Sequence, residues 1–393
     1  MKLPTMRGEN IIVFAKDWGG DPTSSNHVMK MLARDNNVLW LNSVAMRKPD
    51  LKSGRDLGKI VRKVGGFLRG PQRVDERFWV YTPLVVPLPH SAAAAAVNRQ
   101  IVRVMLAGLR RYLGMDRFQL WMFMPSVLPY VGTLGESVAV YYCTDDHSNF
   151  SNLDGRRVAA QERELARKVD VIFATSRSLV ERLKKDNHET HLASHGVDQA
   201  HFARALAPET EVPGELAGLP RPVVGFFGLI EDWVDVPLMA ELARRRPDWS
   251  FVIVGKALAS VAELERLPNV RLLGRRPYEQ LPAYCKGFDV GIIPFTDTEL
   301  VRHVNPLKLR EYLSAGLPVV SSDIPACHGY DSCRIARTAD EWVAAIEASL
   351  ADNGPEGRQA RSERMKSETW EHKVAEISAH VMRVRERTRG ERP

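Results

Sequence analysis

Short apolar runs alternate with helical patterns almost throughout this chain, and the alternation begins a second time after a break rich in proline and glycine. Ile11–Phe14, Val38–Leu41, Phe78–Val86, Gln119–Met124, Val138–Tyr142 and Val171–Ala174 read as strands. Helical patterns at Ser25–Ala33, Ala92–Tyr112, Gly155–Lys168 and Ser178–Lys185 fall between them. Strands that alternate with helices specify a parallel sheet covered on both faces. Residues 205–221 then hold Pro208, Pro213, Gly214, Gly218 and Pro220 with little periodicity, a linker composition. Beyond it, Val223–Phe227, Phe251–Val254, Val270–Leu273, Val290–Pro294 and Val319–Ser321 read as strands. Val236–Arg246, Tyr278–Cys285, Pro306–Ala315 and Ala339–Leu350 read as helices, and a last helix runs from about Ser362 to Arg387. The expected fold class is α/β, with two doubly wound domains facing across a cleft. Domain 1–204 comes first, 205–221 links, and 222–369 forms the second, with a helix at about 370–390 returning to the first. Open α/β sheets bind ligands beyond the carboxyl ends of their strands, so two sheets offer two ligand sites, which suits a two-substrate transfer.

The chain is 44% hydrophobic and 26% charged, which excludes a mainly disordered chain, a collagen-like fibre and a disulfide scaffold. No apolar run approaches the roughly 18 residues of a membrane span, and MKLPTMRGEN has no apolar signal core. Cys143, Cys285, Cys327 and Cys333 form no CxxC pair, so the expected setting is cytoplasmic with reduced thiols. No GxxxxGK[ST] is present, which argues against a P-loop kinase. Of the net charge of +7, nearly all lies in residues 47–77, where Arg47, Lys48, Lys52, Arg55, Lys59, Arg62, Lys63, Arg69, Arg73 and Arg77 face Asp50, Asp56, Asp75 and Glu76. A local cationic excess implies an anionic partner: a membrane surface, nucleic acid or a phosphorylated substrate. Leu57, Ile60, Val61, Val64, Phe67 and Leu68 form one helical stripe among those cations, the pattern of an interfacial helix on the inner face of an anionic membrane. The same stripe also suits packing on the protein's own sheet. No aromatic-interleaved basic groove accompanies it, so nucleic acid is not expected.

Val304–Val320 carries the most chemistry. Asn305 is a good N-cap, Pro306 suits the first helical position, Gly316 suits the left-handed C-terminal position and Pro318 stops the helix. A helix N-terminus favours an anion such as a diphosphate, and Lys308 in the first turn adds a full positive charge. Glu311 lies three residues on, where a carboxylate can accept hydrogen bonds from two ribose hydroxyls. Taken alone, the same two residues equally describe a solvated ion pair on an amphipathic helix.

Asn305-Pro306-Leu307-Lys308-Leu309-Arg310-Glu311-Tyr312-Leu313-Ser314-Ala315-Gly316-Leu317-Pro318-Val319-Val320 resembles the donor-site helix of GT-B glycosyltransferases of the broad family 4 group, in the branch of teichuronic-acid and exopolysaccharide enzymes. Gly225-Phe226-Phe227-Gly228 with Trp233 and Asp235, Arg246–Phe251 leading to Gly255, His195-Gly196-Val197-Asp198 with Phe202, and Trp370 match other pieces in order. The resemblance implies GT-B architecture, meaning two Rossmann-like domains, and a hexosyltransferase of polysaccharide biosynthesis. It implies a nucleotide-sugar donor, UDP in the first place, with no metal or other cofactor. It also implies a glycan or lipid-linked acceptor and retention of anomeric configuration. Gly228, Asn305, Lys308 and Glu311 become donor-site candidates. So do Arg275 and Arg276, in a turn that lies near the nucleotide base in the family, and Gly19 and Gly20, in a loop that meets the donor phosphates. The sequence departs from the family in two places. His303 stands where the family has a first glutamate, and Leu229-Ile230-Glu231-Asp232-Trp233 lacks the usual Arg and Lys, leaving Lys308 to carry the diphosphate charge.

Asp145, Asp146 and His147 follow the apolar run Val138–Tyr142, at the carboxyl end of a strand. Two carboxylates and an imidazole there can orient an acceptor hydroxyl or take its proton, and an Asx cap for the following helix is the alternative. Inversion with one of these three as base, a nucleotide-sugar 2-epimerase, and a non-catalytic glycan-binding subunit are the rival functions.

Overall fold

A computed structural model describes residues 5–19, 22–44, 54–88, 91–151 and 153–391. It divides into two compact units, residues 1–194 with 373–393, and residues 195–372. The expected boundary at 204 therefore moves back to 194. The reason lies in Val197, Phe202 and Ala205, whose side chains are buried in the core of the second unit. Residues 205–221 are not a free linker either. Leu216 is buried in that core, and Glu215 accepts hydrogen bonds from Arg276 and Tyr284.

In the first unit the strands are β1 (Asn10–Phe14), β2 (Asn37–Leu41), β3 (Gln72–Asp75), β4 (Phe78–Tyr81), β5 (Gln119–Met122), β6 (Val138–Cys143), β7 (Val171–Ala174) and β8 (Thr190–Leu192). They form one sheet in the order β3-β4-β2-β1-β5-β6-β7-β8, parallel except where β3 pairs antiparallel with β4. Helices α1 (Ser24–Leu32), α2 (Gly54–Leu68), α3 (Ala92–Leu113), α4 (Gly155–Lys168) and α5 (Arg177–Leu183) join them. Each of β5, β6 and β7 is buried at every position, as a strand covered on both faces must be.

In the second unit β9 (Val223–Phe227), β10 (Ser250–Val254), β11 (Val270–Gly274), β12 (Val290–Ile293), β13 (Val319–Ser321) and β14 (Cys333–Ile335) make an all-parallel sheet in the order β11-β10-β9-β12-β13-β14. Its helices are α6 (Gln199–Ala203), α7 (Val236–Arg245), α8 (Ala262–Glu265), α9 (Leu281–Gly287), α10 (Glu299–Arg302), α11 (Leu307–Ser314), α12 (Ala339–Ala351) and α13 (Pro355–Arg364). The sheet order reverses between β9 and β12, and α11 follows β12. A switch point of this kind is where doubly wound sheets take their ligands.

The last helix is not continuous from Ser362. A 3-10 turn at Met365–Glu368 and extended Thr369 interrupt it, and Thr369 forms a parallel bridge with Val197. The helix resumes as α14 (Trp370–Glu391). Gly196 allows this join, because a Cβ there would lie 2.7 Å from the Trp370 backbone. Among the described residues no helix is long and apolar enough to cross a membrane.

Candidate active site

Helix α11 is held at both ends and along one side. Its C-terminus closes as a Schellman motif: Leu317 N–H donates to Tyr312 O at 2.9 Å and Gly316 N–H to Leu313 O at 3.0 Å. Gly316 has φ +80°, a left-handed geometry that glycine adopts without strain. The ring of Tyr312 lies against Gly291, where a Cβ would come within 2.7 Å of it, and its hydroxyl accepts from Phe227 N–H at 2.9 Å. Arg310 is buried and donates to Glu368 Oε2 and to Asn305 Oδ1, each at 2.6 Å, while Tyr330 donates to the same Glu368.

This network corrects the expectation for Asn305. The helix begins at Leu307 with Pro306 in the capping position, and the Asn305 side chain accepts from Arg310 instead of capping. Asn305 thus anchors the start of the helix from behind.

Lys308 and Glu311 occupy the face that these anchors leave over, and both are half-buried. Among the described residues neither makes a hydrogen bond or an ion pair through its side chain, although each feels the other's charge. The stem of Lys308 crosses Gly228, where a Cβ would lie 2.2 Å from Lys308 Cε. Gly228 also has φ +136°, so the position excludes any side chain twice over. The ammonium sits 5.6 Å from the ring centroids of both Phe226 and Phe295. Gly255 presses on Gly228 from β10, and its own Cβ would meet the Gly228 carbonyl. In the sequence Phe226 and Gly255 stand out only as pieces of the family match and Phe295 not at all, although a glycine directly after a buried strand is a legible sign of close backbone approach.

Burial raises the Glu311 carboxyl from an ordinary 4.5 to about 7, although the Lys308 charge opposes the rise. Burial likewise lowers the Lys308 ammonium, with Glu311 opposing. The Tyr278 phenol is pushed up by its own burial and by the Glu311 charge, which puts that tyrosine in the same neighbourhood. Tyr278 stacks on His201 with centroids 4.4 Å apart and an interplanar angle of 8°.

The other donor-site candidates divide. Arg276 is occupied: it donates to Glu215 and to Tyr284 Oη, each at 2.8 Å, and to the Leu273 carbonyl. These bonds clamp residues 205–221 to α9 and to the end of β11. Arg275 is exposed in the same turn. Glu299 pairs with Arg302 and with His303 at 3.3 Å on an exposed helix. Gly19 ends the turn after β1 with φ +96° and nothing within 4 Å of where a Cβ would stand. Gly20 lies outside the described residues.

At the end of β6 the three candidates differ sharply. Asp146 is 4% exposed and caps the turn His147–Asn149. Its Oδ1 accepts from Ser148 Oγ at 2.5 Å and Ser148 N at 3.2 Å, Oδ2 accepts from Asn149 Nδ2 at 3.1 Å, and Arg182 lies 3.8 Å away. The Asx cap is thus what Asp146 forms. A ring nitrogen of His147 stands 3.2 Å from the Phe123 carbonyl. Asp145 is half-buried, and among the described residues its carboxylate makes no hydrogen bond or ion pair. Among the described residues no three His, Cys, Asp or Glu side chains converge as a metal site requires.

Residues 221–352 match the family model of the glycosyl transferases group 1, a span that includes Gly228, Gly255, Lys308 and Glu311. The chain is 29% identical over 279 residues to a Bacillus subtilis (strain 168) protein provisionally named teichuronic acid biosynthesis glycosyltransferase TuaH, covering 65% of this chain and 69% of that one. Among solved structures it resembles sucrose-phosphate synthase of Thermosynechococcus elongatus, with TM-score 0.70 and 14% identity over 96% of this chain and 99% of the other. Anabaena HepE in complex with UDP aligns with TM-score 0.60 and 14% identity, covering 98% and 99%. The E. coli trehalose-6-phosphate structure bound with UDP-2-fluoro glucose aligns with TM-score 0.65 and 11% identity, covering 96% and 99%. Residues 221–352, with Lys308 and Glu311 among them, thus match the glycosyl transferases group 1, and the two doubly wound sheets share the GT-B fold of these structures along nearly the whole chain.

Proposed function

We propose that the chain moves a hexose from a UDP-sugar to a hydroxyl of a glycan or lipid-linked acceptor in polysaccharide biosynthesis, with retention of configuration. The observation that carries this reading is the pair of half-buried, unpaired charges on α11 inside a group 1 domain. Lys308 would take the diphosphate oxygens and stabilise the charge that develops on the leaving group, without metal. Glu311, once ionised, would accept from the two ribose hydroxyls. UDP in the HepE structures, one of them also holding glucose, supports the choice of base, and the name of the Bacillus relative, a teichuronic acid biosynthesis glycosyltransferase, supports a glycan as acceptor. Arg275 remains a candidate for the base side. The exposed Val61, Val64 and Leu68 of α2 support docking of the first unit on an anionic membrane surface.

One observation favours a second reading. The unpaired Asp145 carboxylate at a strand end is what an inverting enzyme needs as a base. Calorimetry with UDP on Lys308→Ala and Glu311→Ala tests the donor site, where binding equal to that of the unmodified chain would refute it. The anomeric proton coupling of the product by NMR separates retention from inversion.

A further inference from the structure

Helix α2 turns three different sectors to its surroundings. Phe67 packs toward Tyr81, with centroids 6.2 Å apart, and Gly66 sits so close to the end of β4 that a Cβ would come 2.7 Å from Thr82 Oγ1. Val61 and Leu68 face water, at 70% and 76% exposure. The third sector, Arg62, Lys63 and Arg69 with Gly66 between them, lines an open cavity of about 260 Å³ bounded on its other sides by Asp17, Asn42 and Thr82. These last three residues follow β1, β2 and β4, so the cavity lies at the carboxyl edge of the first sheet, the ligand-binding edge of such folds.

The wall of this cavity is built. Asn42 accepts from Trp18 N–H and donates to Thr82 Oγ1, each at 2.8 Å. Asp17 Oδ1 accepts from Ser43 Oγ at 2.6 Å and from Ser43 N at 3.0 Å, and Lys63 donates to Ser43 O and Oγ. Asp17 and Lys63 are thus tied into the wall. Among the described residues Arg62 reaches only the Gly58 carbonyl, at 3.4 Å, and neither Arg62 nor Arg69 forms an ion pair. Among the described residues three cations against one carboxylate line the cavity. Its volume is below the ~300–1,000 Å³ of a whole small-molecule site, which suits a head group better than a glycan. Guanidinium groups bind phosphate oxygens in bidentate fashion.

We propose that this cavity binds a phosphate or diphosphate group carried by the acceptor. The proposal rests on the glycosyltransferase reading and adds to it that the acceptor is phosphorylated. Val61 and Leu68, on the neighbouring sector, would lie beside any lipid attached to that group.

The test uses the full chain carrying Lys308→Ala, so that the donor site does not compete for the probe. Inorganic pyrophosphate should bind this chain in calorimetry. Arg62→Ala and Arg69→Ala, both at exposed positions, should each weaken it about tenfold or more. Octyl diphosphate distinguishes the sources. Tighter binding than pyrophosphate, lost with Val61→Ser and Leu68→Ser together, assigns a lipid-linked phosphate, and equal binding assigns a water-soluble one. Absence of pyrophosphate binding, or binding indifferent to both arginines, overturns the proposal. So does loss of binding to phosphatidylglycerol vesicles in the arginine variants with pyrophosphate binding unchanged, since the arginines then serve a membrane surface. UDP binding, which should respond to Lys308→Ala and not to Arg69→Ala, reports separately on the donor site.

Discussion

Glu311→Gln removes a charge that the ligand-free protein accommodates poorly. An unfolded glutamate titrates near 4.5 and the folded one near 7, because burial outweighs the pull of Lys308. A folded value above the unfolded one means that stability is complete below pH 4.5 and is lost as pH rises to about 7. Two and a half units at ~1.36 kcal/mol each set an upper limit of about 3 kcal/mol. That limit already includes the attraction of Lys308; residual water contact screens part of it, so about 1–2 kcal/mol should remain. Thermal unfolding at pH 8 should show the transition of the second unit raised by roughly 2–8 °C in the variant, with the gap closed at pH 4.5. UDP binding at pH 8 should meanwhile weaken about tenfold to a hundredfold, since one charge-assisted contact is worth ~1.5–3 kcal/mol. In the unmodified chain, UDP affinity should rise as pH increases through about 7, where the carboxylate forms. A variant less stable than the parent at pH 8, or a gap unchanged between pH 4.5 and 8, would refute the reasoning.

Gly228→Ala should displace Lys308 and force a left-handed backbone on alanine, costing about 1–3 kcal/mol in urea unfolding and sharply reducing UDP affinity by calorimetry. Arg310→Ala should cost about 3–5 kcal/mol in the same unfolding assay, because Glu368 and Asn305 lose a buried partner. Asp145→Asn should abolish transfer if an inverting base is needed and leave the melting temperature unchanged, whereas Asp146→Asn should weaken the Asx cap and the Arg182 pairing and lower it. Activity assays paired with thermal unfolding separate the two aspartates.

The elements that a sequence reader can find here are those buried on both faces. β6 and β9 announce themselves as unbroken apolar runs, and α11 is bounded by Pro306 and Gly316 because helix ends need those residues. Edge strands escape notice for the opposite reason: Gln72–Asp75 is exposed at every position, so nothing in its composition marks pairing with β4. The site is legible in the same uneven way. Lys308 and Glu311 stand out by their spacing on one short helix. Arg276, Asn305 and Asp146 look equally able to touch a ligand, and what occupies them is visible only in three dimensions. Glu215 lies 61 residues from the arginine it holds, and Arg182 lies 36 from Asp146. A polar residue near a strand end is a ligand contact only if no such distant partner has already taken its hydrogen bonds.

The first unit is assembled from residues 1–194 and 373–393, so its chain is interrupted by the whole of the second. On a ribosome that arrangement imposes an order of events. Ile377, Val381 and Val384, all buried, and Arg385, which pairs with Glu9, are made only after the whole of the second unit. At ~5–20 residues per second, translating the intervening 178 residues takes roughly 10–40 s. The second unit has every one of its residues as soon as His372 clears the exit tunnel, while the first must wait with the surface for α14 uncovered. Nascent-chain aggregation and chaperone capture should therefore concentrate on the first of these two units.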